Sequence, residues 1–307
     1  MIVPDAANMR SMLRSVWRPL VVLFAFDMLI AVLYVYGGQR WLSVRDIPLS
    51  IFGGAIGVIV GFRNTSSYQR WWEARTLWGA IVNYSRTFAR QSLTMIIVPC
   101  DGSEEDRRRA EEIRQRLVLL QVAYVHSLRC QLRSHAAWQG LDSFYNAQQM
   151  EIVRSQRNIP VFIQQEMSEL LAECLKNGWL DSMRWTSIDQ SLAALMNAQG
   201  GAERIKNTPM PRQYDYLPRL FVRLYCFLLP FGMVANLGMF TPVGSSLVGL
   251  IFLALDEVGR DLENPFENRE HDIPMSSISQ TIEINLKQLL RQAEIPVPEP
   301  AVKGILW

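Results

Sequence analysis

The residues from Leu49 to Gly79 constrain the fold more than any other part of the chain. Leu49–Phe62 carries no charge and is rich in glycine, whereas Arg63 begins a stretch that mixes arginine, glutamate and tryptophan. No proline interrupts these residues, so one helix can run through the change in polarity. Such a helix is predicted to start in lipid and to end in water, because charged side chains are costly in a bilayer.

Three more apolar runs are candidate membrane spans, for which a full crossing takes about 20 helical residues. They are residues 17–37, 220–240 and 245–255. The first run contains Asp27, and an ionisable group at that depth is expected to pack against a neighbouring helix rather than to face lipid. Together with Ile47–Phe62, these runs predict four spans in two hairpins.

The remaining residues are polar and have the periodicity of helices with one solvated face. The sequence therefore predicts an all-α protein. Its predicted parts are a first transmembrane hairpin in 1–62, a cytoplasmic helical region in 63–218, a second hairpin in 219–256 and a cytoplasmic tail in 257–307. Polar helices are predicted from Ser103 onward and at 142–158, 161–177, 182–199 and 276–291, with irregular chain over 200–218 and a tight turn at 241–244.

The distribution of arginines predicts the orientation in the membrane. An even number of spans puts both termini on one side, and Arg10, Arg14, Arg63 and Arg70 lie on that side. The turns at 38–47 and 241–244 hold only two arginines. Because positive charge accumulates in cytoplasmic loops, both termini and the polar helices are predicted to be cytoplasmic.

Composition argues against several classes of function. The net charge of +2 gives no indication of a nucleic-acid partner. The four cysteines are scattered without a C-x-x-C pair, which is typical of free thiols in a reducing compartment. No pairing of a nucleophile with a base and no cluster of metal ligands stands out, so an enzyme is not expected.

Several short motifs resemble those of the bestrophin family. The central stretch is similar to the signature of bacterial bestrophin homologues at Gly61-Phe62-Arg63-Asn64, Tyr68, Arg70, Glu73-Ala74-Arg75 and Leu77-Trp78-Gly79. Further similar segments follow in order at Asn207–Pro211, Leu229–Phe231 and Leu262–Phe266. The resemblance covers nearly the whole chain.

This resemblance implies a homopentameric ion channel in a bacterial inner membrane, with one axial pore and membrane lipid around it. The second helix of the family lines a narrow apolar neck. Counted back from the Gly-Phe pair, the neck positions are Phe62, Val58 and Gly54. Val58 and Gly54 are small, so Phe62 is expected to form the narrowest neck ring. A second, cytosolic constriction is expected at Met210 or Thr208.

The resemblance also raises the question of charge and metal sites. Asp46 near the outer end of the second span is either a pore-mouth charge that concentrates cations or an exposed turn acid. Animal members of the family carry a calcium clasp after Asn-Pro-Phe. Here Arg269 and His271 interrupt the acids and leave Glu267 and Asp272 as weak candidates. Since calcium prefers several oxygen ligands with net negative charge, neither calcium nor another cofactor is expected.

The identity of the permeating ion stays open at this point. Similarity to the bacterial members favours monovalent cations such as Na⁺ or K⁺, and a chloride-type anion channel is the alternative. The edge of the Phe62 ring would favour anions and its face cations. Two other possibilities are a non-conducting membrane scaffold and a secondary transporter, although no inverted repeat is visible.

Overall fold

The computed structural model describes residues 9–44, 48–302 and 304–307. Its helices are α1 (Met9–Val35), α2 (Leu49–Met95), α3 (Glu104–Leu132), α4 (Ala147–Ser155), α5 (Ile159–Lys176), α6 (Ser182–Asn207), α7 (Arg212–Leu237), α8 (Thr241–Glu263) and α9 (Met275–Leu289). Short 3₁₀ turns occupy Arg40–Leu42 and Gly238–Phe240. The described residues contain no β-strand, only one isolated bridge between Val302 and Ile305. The predicted all-α class is therefore confirmed.

The chain divides into two compact units. The hairpin unit holds the described residues up to Trp72 together with Pro209–Pro265, and the helical unit holds Glu73–Thr208 and Phe266–Trp307. The hairpin unit is larger than the membrane parts predicted at 1–62 and 219–256. The additional residues belong to it because of polar contacts between α2, α7 and α8. Where the membrane begins stays a prediction.

In the hairpin unit two stretches are long and apolar enough to cross a membrane. They are Ser15–Val35 and Arg212–Glu263, and the second contains both α7 and α8. The core of the hairpin unit joins α1, α2, α7 and α8. It contains Leu23, Val60, Val222 and Cys226, with Phe252 packed against them. The first part of α2 is not among these stretches, because its uncharged run is short and ends at Arg63.

Helix α2 is continuous over 47 residues, so the prediction of one uninterrupted helix is confirmed. It ends at Met95, ahead of Pro99. Ser103 then caps α3: its hydroxyl accepts from the Asp106 N–H, while the Asp106 side chain accepts from the Ser103 N–H. This capping box satisfies two N–H groups that the helix itself leaves free. The predicted helix start at Ser103 is confirmed.

The prediction of irregular chain from Gly200 to Pro218 was correct only for residues 208–211. Helix α6 continues to Asn207, and α7 begins at Arg212 with Pro218 inside it. A Cβ on Gly201 would lie 2.9 Å from a Leu77 methyl group, so close packing against α2 favours glycine within α6. The turn predicted at 241–244 lies at Gly238–Phe240 instead, where Gly238 takes a φ of +52° that glycine adopts without strain.

The helix predicted over residues 142–158 is shorter than expected. It spans only Ala147–Ser155, because Asn146 forms the N-cap and exchanges hydrogen bonds with Gln149. This pattern was visible in the sequence as Asn-x-x-Gln, so the predicted start at residue 142 was wrong.

Candidate functional site

The first part of α2 has two faces that differ in burial. Val60, Arg63 and Ser67 are buried inside the hairpin unit. On the other face Gly54 is exposed, 58% of Val58 is exposed and 67% of Phe62 is exposed. At 3.6 residues per turn the two stripes lie roughly 170° apart around the helix. The three predicted neck residues therefore share one face, which is mostly exposed in the described part of the chain.

Gly53, Gly57 and Gly61 of α2 recur every four residues, a spacing that predicts a close helix contact. Only one of the three contributes to packing. A Cβ on Gly53 would lie 2.6 Å from the Tyr225 hydroxyl oxygen of α7, so glycine is required for that approach. Around Gly57 and Gly61 there is open space. Within a single chain, the repeated small residues therefore do not form the continuous helix contact that their spacing predicts.

Phe62 borders a cleft between α2 and the first half of α7. The cleft has a volume of about 540 Å³, and Ile59, Leu217 and Phe221 line it together with Phe62. Because one side of the Phe62 ring meets this open volume, the ring has room to change rotamer without displacing a packed neighbour.

Arg63, directly after Phe62, is 1% exposed and is held by carboxylates. Its Nη1 donates to Asp256 Oδ1 at 2.7 Å and its Nη2 donates to Asp215 Oδ1 at 2.9 Å. A Glu263 oxygen lies 3.9 Å from Nη2. From the sequence, Glu73 and Asp256 are the acids considered as partners of Arg63, and the structure shows the Asp256 pair. Asp215 and Glu263, which lie 152 and 200 residues away along the chain, were not predicted.

The residues predicted for a cytosolic constriction differ in their surroundings. Thr208 is exposed, whereas Met210 is half-buried with its Sδ 3.7 Å from the Ser67 hydroxyl oxygen. The Met210 side chain is therefore in contact with α2, to which Ser67 belongs. Whether either residue narrows a pore stays a prediction. Asp46 lies outside the described residues.

The two weak metal candidates are engaged by the protein's own donors. The Lys206 ammonium lies 2.8 Å from a Glu267 oxygen, and Asp272 Oδ2 accepts from the Arg269 N–H at 3.0 Å. Burial raises the pKa of Asp272 above its ordinary value. Within the described ranges no three His, Cys, Asp or Glu side chains converge as metal ligands would. The absence of a cofactor stays a prediction.

Asp27 lies where the sequence predicted, packed inside protein. It is fully buried on α1, and the Ser245 hydroxyl of α8 is beside it. Neither Asp27 oxygen has a partner with good hydrogen-bond geometry. The prediction that this acid packs against a neighbouring helix is confirmed.

Comparison with known proteins identifies the family. A family model described as bacterial/fungal bestrophin protein matches residues 7–288. The chain belongs to the bacterial and fungal bestrophin family. Its structure is similar to the crystal structure of a bestrophin homologue from Klebsiella pneumoniae, with a TM-score of 0.81, 28% identity and coverage of 90% of this chain and 98% of that one.

Two relatives illustrate the similarity in sequence. The voltage-dependent anion channel-forming protein YneE of Escherichia coli is 32% identical, over 93% of this bestrophin and 90% of its own length. A protein of Ralstonia nicotianae that carries the same descriptive name is 30% identical over the same shares. The match extends along nearly the full length in each case.

Proposed function

We propose that this bestrophin is an ion channel whose pore forms where several copies of α2 surround one axis. The observation that carries the proposal is the exposed stripe of Gly54, Val58 and Phe62, which lies opposite the buried face of the same helix. An apolar stripe that its own chain leaves uncovered is suited to line a shared opening. The descriptive names of the relatives, which refer to channels, also support it.

The proposed assembly is a homopentamer in the inner membrane of a bacterium, with membrane lipid around it. Each copy would contribute four spans, formed by α1, the first part of α2, α7 and α8. Both termini and the helical unit would lie in the cytoplasm, in keeping with the distribution of arginines in the sequence.

The proposed gate is a ring of Phe62 side chains. A narrow apolar ring excludes hydrated ions by dewetting, and a small increase in its diameter lets them pass. The cleft beside Phe62 offers room for such a change. Val58 and Gly54 are smaller, so their rings would be wider and would contribute less to the barrier.

For selectivity, the relatives do not support the cation preference expected from the sequence. Both relatives described above are named as anion channel-forming proteins, and we therefore propose monovalent anions as the favoured ions. A ring of Phe62 edges would serve this purpose, because aromatic edges carry partial positive charge. Arg63 would contribute little positive potential, because Asp256 and Asp215 neutralise it.

The test is conductance of the purified protein in planar bilayers. We expect Phe62→Ala to increase conductance or open probability, and Val58→Ala to have a smaller effect. Phe24→Ala is the matched control, because Phe24 is also an exposed phenylalanine but lies on α1. Equal responses to Phe62→Ala and Phe24→Ala would contradict the assignment of the neck.

The sign of the reversal potential in asymmetric NaCl distinguishes anion from cation conduction. A reversal potential near the chloride equilibrium potential supports the proposal, and one near the sodium equilibrium potential restores the cation alternative. If purified protein gives no ion flux under any gradient, the channel proposal fails and a scaffold that binds partners through its helical unit becomes the better explanation.

A further inference from the structure

Arg63 is the only arginine among the fully buried large side chains of the described ranges, at 1% exposure. A buried charge is stable only when it is paired and hydrogen-bonded. Two carboxylates within 3 Å and a third within 4 Å supply that pairing. Its Nη1 also donates to the Asp256 carbonyl oxygen at 3.0 Å. One side chain of α2 is thereby bonded to both α7 and α8.

The residues beside Arg63 extend this attachment along α8. The Asn64 amide donates to the Leu255 carbonyl oxygen at 2.8 Å, and Arg70 Nε donates to the Glu263 carbonyl oxygen at 2.8 Å. Both acceptors are backbone carbonyl groups of α8, and that of Glu263, the last residue of the helix, has no partner within it. Two turns of α2 are thus fixed against the last two turns of α8.

Gly259 makes the close approach possible. A Cβ at this position would lie 2.3 Å from the Asn64 side-chain oxygen and 3.0 Å from Arg63 Nη1. The backbone of α8 therefore lies directly against the polar side chains of α2, with no room for a larger residue. We call Arg63, Asn64, Asp215, Asp256 and Gly259 the polar clamp.

The polar clamp begins at Arg63, one residue after Phe62 and about 100° around α2 from it. Phe62 is mostly exposed and borders the cleft, whereas Arg63 is buried and bonded on two sides. The backbone that carries Phe62 is therefore held by the clamp, while the ring is mostly exposed and borders the open cleft. Such an arrangement fits a gate that opens by a change of side-chain rotamer and not by a shift of the helix.

We infer that Arg63 is a positioning residue for the neck: through Asp256 and Asp215 it fixes the backbone of α2 and so sets the position of the Phe62 ring. This inference rests on the proposed channel function. It assigns Arg63 no contact with the permeating ion, since its charge is enclosed by carboxylates on the buried face.

The test is a double-mutant cycle on conductance, with Arg63→Gln, Phe62→Ala and the double variant measured in planar bilayers. We expect Arg63→Gln to change conductance or open probability several-fold in the wild-type background. In the Phe62→Ala background the same substitution should have little further effect, because the ring that it misplaces is absent. A purely structural role would give the same change in both backgrounds and would overturn the inference.

Two conservative variants keep the test decisive if Arg63→Gln does not fold. Arg63→Lys keeps the charge but lacks the planar fork that reaches both carboxylates, so we expect an intermediate effect. Asp215→Asn removes one charge at nearly constant shape and should shift conductance in the same direction as Arg63→Gln. If Asp215→Asn folds and leaves conductance unchanged, the inference is contradicted.

The outcomes separate this inference from the proposed function. Arg204→Gln is the control, because Arg204 pairs with Glu73 at the surface of the helical unit and should leave conductance unchanged. If Phe62→Ala alone has no effect, the proposed neck fails. If Phe62→Ala changes conductance and Arg63→Gln does not, only the positioning role fails.

Discussion

Helix α9 is attached to α3 by a hydrogen bond between Glu283 and His126, and the contribution of Glu283 to stability depends on pH. The His126 Nε2 lies 2.8 Å from one Glu283 oxygen, and the Lys287 ammonium lies 2.7 Å from the other. The side chains of His126 and Glu283 are 16% and 15% exposed. We predict that Glu283→Gln destabilises the helical unit at neutral pH.

The expected size follows from the pKa of Glu283. The hydrogen bond with His126 lowers this pKa from 4.5 to about 2, with a further contribution from Lys287 and against the opposing effect of burial. Each unit of pKa is worth about 1.4 kcal/mol, which gives about 3 kcal/mol for the shift. Solvent near the carboxylate reduces this to about 2 kcal/mol. For a unit of this size the loss corresponds to about 4–8 °C in Tm.

The sign of the pH dependence follows from the direction of the shift. Because the pKa of Glu283 is lower in the folded protein, its stabilising contribution is complete above the unfolded value of 4.5 and is lost as the pH falls toward 2. The difference in Tm between wild type and Glu283→Gln should therefore be largest at pH 7 and clearly smaller at pH 3.

Thermal unfolding of the purified protein, followed by circular dichroism at both pH values, checks the prediction. Glu173→Gln is the matched control, because the Glu173–Arg109 pair has side chains that are 35% and 47% exposed. Exposed pairs of this kind contribute at most about 1 kcal/mol. A Glu283→Gln effect no larger than that of the control, or equal at pH 7 and pH 3, would refute the reasoning.

Three further predictions concern stability. Trp78→Ala removes a fully buried indole and should lower the free energy of unfolding by about 3–5 kcal/mol. A decrease in Tm of less than about 5 °C would contradict this. Ser103→Ala removes the cap of α3 and should lower the free energy of unfolding by about 1 kcal/mol. Denaturant unfolding measures this change, and an unchanged free energy would argue against the cap. Calcium should not raise the Tm of the wild type, because Lys206 already pairs with Glu267, and a rise that a chelator reverses would show a metal site.

Local patterns in the sequence were sufficient to predict the positions of many helices. The uninterrupted helix through Arg63 followed from the absence of proline, and the start of α3 followed from Ser103 and the acids after it. The buried position of Asp27 followed from the cost of a carboxylate in lipid. Each of these features depends on residues close together in the chain or on the general cost of moving a charged group out of water.

The errors came from residues whose local preference was outweighed by packing. The helix predicted over 182–199 continues to Asn207, and close contact with Leu77 favours a small residue at Gly201. Pro218 predicted irregular chain, yet it lies inside α7. Glycine and proline lower the stability of a helix by amounts that tertiary contacts can offset.

The sequence by itself determined the all-α class, the uncharged half of α2 and the identity of the residues on each stripe of that helix. Only the tertiary structure decided which stripe is buried, and which acids meet Arg63 and His126. Those partners lie 152 to 200 residues away along the chain. The direction of a side chain toward so distant a partner is set by how the helices pack, and helical periodicity alone carries no information about it.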